Sequence, residues 1–77
     1  MVEFNFSALV IQRVWESALV VPELNKDSWR KDASGNLISR KDYGNAASIH
    51  GWGINEGMQA LSLAAHQFML QSVKKVA

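Results

Sequence analysis

Chemistry in a chain of 77 residues without cysteine rests on few side chains. The histidines are His50 and His66, and Ser48 lies two positions before the first. A nucleophile needs a base in hydrogen-bonding reach and a third group to orient that base. No acid identifies itself as the orienting group for Ser48 and His50, so this pair does not read as catalytic. A metal centre needs several convergent ligands, which structural zinc sites take from closely spaced cysteines and histidines. His50, His66 and Glu56 form no such pattern, so no metal site and no cofactor are expected. Both histidines are read as structural or surface residues.

A different chemistry is available to Arg30, Lys31, Arg40 and Lys41, with Trp29 and Tyr43 at their edges. Cationic groups hold phosphates, and aromatic rings stack bases. A hairpin that places residues 30–31 opposite 40–41 would gather all six. Asp27, Asp32 and Asp42 lie among them and would neutralise much of the charge, and like charges facing across strands repel. The segment therefore reads either as a solvated face or as a weak nucleic-acid contact. Trp52 stands between Gly51 and Gly53. It reads mainly as a core plug in a turn that needs glycine's backbone freedom, with a ligand pocket as the alternative.

These residues must be positioned by a small set of elements. Ser7 is a candidate N-cap for a helix over about residues 8–20, with Phe6 and Ile11 at hydrophobic-staple spacing. Val10, Ile11, Val14, Trp15 and Ala18 share one face at helical periodicity, and Pro22 ends the run. Ser34-Gly35-Asn36 separates Trp29–Asp32 from Leu37–Arg40 and predicts a short hairpin. A second helix is expected from about Glu56 to Lys75, capped by Asn55, with Lys74 and Lys75 at its negative end. Met58, Leu61, Ala65, Phe68, Met69 and Val76 form its main apolar arc. Leu63 and Leu70 fall on nearly the opposite side, which predicts a dimer interface there, the alternative being that the N-terminal segment with Phe4 and Phe6 folds back over them within one chain. The expected fold is a single small domain over residues 1–77, mainly α with one small β-hairpin (α+β), two helices flanking a turn-rich middle.

Composition bounds the function. Eight Lys+Arg against seven Asp+Glu give a formal charge of +1, not the footprint of a dedicated nucleic-acid binder. Hydrophobic residues make up 48%, which argues for a folded chain. No export signal and no run of about 20 apolar residues is visible, so a cytoplasmic protein without a membrane span is expected. A core this small leaves a margin of roughly 3–5 kcal/mol without a disulfide, metal or partner. With no cysteine, self-association is the expected supplement.

One ordered set of residues is distinctive: Trp29-Arg30-Lys31-Asp32, Gly35, Ile38, Tyr43-Gly44-Asn45, Ser48 and Gly51-Trp52-Gly53-Ile54. It resembles the leading segment of small bacterial HNH-type (His-Me finger) nuclease-like proteins, and Val14-Trp15-Glu16 and Val20-Val21-Pro22 are similar as well. The resemblance covers about residues 14–54. In that family the isoleucine is followed by Asp-His, the histidine being the general base, and a later helix carries a metal-binding histidine. Here Ile54 is followed by Asn55-Glu56, and an amide cannot take a proton at neutral pH. The resemblance implies a related scaffold whose catalytic half is absent. The sequence thus predicts a non-enzymatic interaction or structural module that forms a homodimer through its C-terminal helix. The alternative is a weak nucleic-acid-binding module using the basic hairpin.

Overall fold

The structure, a computed structural model, describes residues 5–65. The first helix forms as its cap and periodicity require. Helix α1 spans Ala8–Ser17, and the Ser7 side chain accepts a hydrogen bond from the Val10 amide at 3.3 Å. Val14 and Trp15 are its buried residues, while Phe6, Val10, Ile11 and Ala18 pack partly buried against the same core. The helix ends three residues before the expected Val20. The Ser17 hydroxyl donates to the Val14 carbonyl at 2.7 Å, and the Ala18 amide turns back to the Trp15 carbonyl. Leu19–Val20 then form strand β1 instead, because they pair antiparallel with the hairpin, Leu19 opposite Lys31 and Val20 opposite Arg30.

The hairpin is present as β2 (Trp29–Lys31) and β3 (Leu37–Ser39), completing a three-stranded sheet in the order β1-β2-β3. Its turn is organised by Asp32, which is 2% exposed. The carboxylate accepts the Ser34 and Asn36 amides at 3.0 and 2.9 Å and the Asn36 side-chain amide. It also accepts the Ser62 amide at 3.0 Å, thirty residues away. Gly35 takes a φ of +87°, where a side chain is strained.

The C-terminal half departs from expectation. Among the described residues only α1 is a complete helix, beside five short strands, so the fold is α+β with more strand than a mainly α reading allows. Residues 56–62 are not helical: β4 (Trp52–Ile54) and β5 (Ala60–Ser62) form a second, antiparallel sheet. Asn55 initiates the connecting turn rather than a helix. Its amide donates to the Gln59 carbonyl at 2.9 Å, and its side chain accepts the Gln59 amide at 3.0 Å. Met58 adopts a φ of +59°, outside the helical region for L-residues. Apolar periodicity gave way to the demand that the buried backbone of β4 be paired. The small side chains of Ala60 and Ser62 stand opposite Ile54 and Trp52, respectively. Residues 63–65 are helical. The remainder of the expected helix, including His66 and Leu70, lies outside the described residues.

The core is built around Trp15, Trp52, Ile38 and Ile54, all fully buried. The two indole rings are 5.3 Å apart, and Tyr43 meets Trp52 edge-on at 4.9 Å. Trp52 is the core plug that its glycine-flanked position suggested. Gly51 is required for another reason: a Cβ there would overlap the Asn45 backbone carbonyl. Among the described residues, no helix is long and apolar enough to cross a membrane.

Candidate functional site

The six residues expected to gather on the hairpin are divided between two faces. Strand alternation sends Trp29 and Lys31 one way and Arg30 the other. Arg30 is 7% exposed and is part of the interior. Its Nε donates to the Lys26 carbonyl at 3.0 Å, and its Nη1 donates to the Glu16 and Ala18 carbonyls at 2.9 and 3.1 Å. The guanidinium also lies 5.9 Å from the Trp15 ring centroid. Carbonyls at a helix C-terminus lack intrahelical partners and carry partial negative charge. Arg30 therefore closes the end of α1 and is not available to a phosphate.

The register differs as well. Arg30 stands opposite Ile38 and Lys31 opposite Leu37, so residues 30–31 do not face 40–41. Arg40 and Lys41 lie beyond the strand, in the 3-10 turn Arg40–Asp42. Lys31 is exposed on the hairpin. Tyr43 packs against the core, and burial raises its phenol above the ordinary value of 10.0.

Three of the six do meet. Trp29, Arg40 and Lys41, with Asp27, Ser28 and Ser39, line an open groove of about 380 Å³. Its geometry is set by backbone pairing. The Trp29 and Ser28 amides both donate to the Asn25 carbonyl, at 2.8 and 3.0 Å, and the Arg40 amide donates to the Ser28 carbonyl at 2.9 Å. The Arg40 Nε donates to Gln12 Oε1 at 3.1 Å, tying the groove to α1. His50 neighbours Trp29, its ring perpendicular to the indole with centroids 5.1 Å apart. The His50 Nδ1 lies 3.3 Å from the Leu37 carbonyl.

Ser48 does not engage the His50 ring. Its hydroxyl donates to Asp42 Oδ2 at 2.8 Å and accepts the His50 backbone amide at 3.1 Å. This is a turn-stabilising arrangement, not a nucleophile facing a base. Among the described residues, no three His, Cys, Asp or Glu side chains are grouped to hold a metal ion. Leu63, expected on a dimer face, is 5% exposed, and its amide donates to the Gly51 carbonyl at 3.0 Å. Its side chain is buried within one chain, so it does not offer the expected contact surface.

Asp32 and Gln12 were not read as site-building residues from the sequence. The D-x-S-G-N spacing of a side-chain-capped turn is a signal for the first. Nothing in the sequence signals the contact of Gln12 with Arg40, twenty-eight positions away. Comparison with known proteins gives no match: no family model, curated protein or solved structure matches this chain.

Proposed function

We propose that this chain is a non-catalytic interaction module, built on a degenerate HNH-like scaffold, that associates with a second copy of itself. The observation that supports the non-catalytic reading is the turn after Ile54. Where the resemblance calls for Asp-His, Asn55 uses its backbone and its side chain to hold Gln59, and Glu56 is exposed. The residues that carry the resemblance serve the architecture instead: Arg30 closes α1, Asp32 organises the hairpin, and Ile38, Trp52 and Ile54 fill the core. Single- and double-stranded DNA incubated with Mg²⁺, Mn²⁺ or Zn²⁺ should remain uncut. Metal-dependent turnover that survives extensive purification and disappears in His50→Ala or His66→Ala would overturn this reading.

Self-association is supported by apolar surface on the N-terminal helix. Leu9 is 61% and Met58 47% exposed, and Val10, Val14 and Met58 line an apolar groove of about 310 Å³ with Arg13 and Ser17. Met58 holds this position in a left-handed conformation that costs an L-residue about 1–2 kcal/mol. Burying one leucine-sized side chain contributes roughly 1.5–3 kcal/mol, and a two-fold pair buries each twice. This face replaces the expected Leu63 contact.

A second reading, weak nucleic-acid contact, is favoured by the groove that joins Trp29 to Arg40 and Lys41.

A further inference from the structure

We infer that the groove between Trp29 and Lys41 takes single-stranded nucleic acid, one unstacked base lying on Trp29 and the adjoining phosphate on Arg40 and Lys41. This rests on the nucleic-acid reading above and narrows it to a strand form. Trp29 and His50 meet at 89°. In a perpendicular pair, either the indole offers its edge or one of its faces receives the imidazole edge. Both geometries leave at least one indole face uncovered by His50. Trp29 borders an open groove of about 380 Å³, within the range of small-ligand sites.

The cations stand beside that ring. Arg40 is half-buried, its Nε committed to Gln12, and its Nη groups have no partner among the described residues. Lys41 is exposed. Asp27 is the carboxylate lining the groove and opposes an anion, so the three charged side chains leave a net attraction of one unit. Ser28 and Ser39 complete the same walls. A base in a duplex presents only its edges and cannot reach a ring inside a groove without being unstacked. A single strand offers its faces freely, and every base has one. With Arg30 buried, Arg40 and Lys41 are the cations that line the groove with the tryptophan.

The test is a low-salt titration of the full chain with a thymidine oligonucleotide, and separately with a duplex of equal length, read by tryptophan fluorescence and by anisotropy of labelled DNA. The single strand should bind more tightly than the duplex and quench the fluorescence. Trp29→Leu should weaken single-strand binding at least about fivefold. Lys41→Ala, at an exposed position that should not disturb folding, should lower the salt dependence by about one phosphate contact. Equal affinity for duplex and single strand, with Lys41→Ala still weakening both, would overturn the base-stacking inference while leaving nucleic-acid contact standing. Absence of binding to either form would overturn both.

Discussion

Arg30 shows how far a residue type can mislead when its strand face is unknown. Within Trp-Arg-Lys-Asp, a guanidinium beside an indole reads as a phosphate contact, yet here its donors go to the carbonyls of Glu16, Ala18 and Lys26. Three part-buried carbonyls receive one planar donor fork, the Lys26 carbonyl also accepting from the Trp15 indole. Arg30→Ala should therefore destabilise the fold by on the order of 3 kcal/mol, since bonds to a charged group contribute roughly 1.5–3 kcal/mol each and unmet acceptors add a penalty. Arg30→Lys should recover little, because an ammonium cannot span divergent carbonyls as a guanidinium does. Urea unfolding of both variants checks this; wild-type stability in either would show that the guanidinium is not structural. The core identities of Trp15 and Trp52 were legible, one from helical periodicity and the other from its flanking glycines. The face on which Arg30 lies was not, because a three-residue strand carries too little alternation to fix its phase.

At the scale of elements, α1 and the β2–β3 hairpin were legible because each has a local signal: the Ser7 cap, and Ser34-Gly35-Asn36 at the turn. The β4–β5 sheet was not. Residues 56–62 carry helix-forming residues, but their partner strand is preceded by Gly51, packed against the Asn45 carbonyl, and contains the fully buried Trp52. Pairing with β4 decided the outcome, and it is a tertiary demand that local propensity does not record. The turn between these strands offers a direct probe. Met58→Asn places a residue tolerant of the left-handed region at φ +59°. It should stabilise the monomer by about 1 kcal/mol, and such a change raises Tm by roughly 4–8 °C in a domain of this size. Thermal unfolding at low micromolar concentration measures it. An unchanged or lower Tm would show that the Met58 side chain contributes more within one chain than its backbone costs. The same variant should weaken self-association, which separates a residue kept for contact from one kept for folding.

At the scale of the whole molecule, the two small sheets and α1 of the described residues enclose a core of few residues, and apolar side chains remain at the surface: Leu9, Leu19, Val20, Leu24, Ile49 and Met58 are each at least 40% exposed. A domain of this size has a narrow stability margin, and a second copy covering exposed Leu9 and the groove lined by Val10 and Met58 would widen it. Length and the absence of cysteine make a supplement of this kind the expectation. The expected second helix placed Leu63 on the outside, whereas Leu63 is buried directly after β5. Sedimentation equilibrium at high micromolar concentration tests the self-association most directly. The wild type should have about twice the mass of the 8.6 kDa chain, and Leu9→Lys combined with Met58→Asn should return it to the monomer. A wild-type mass near 8.6 kDa at that concentration would contradict the account.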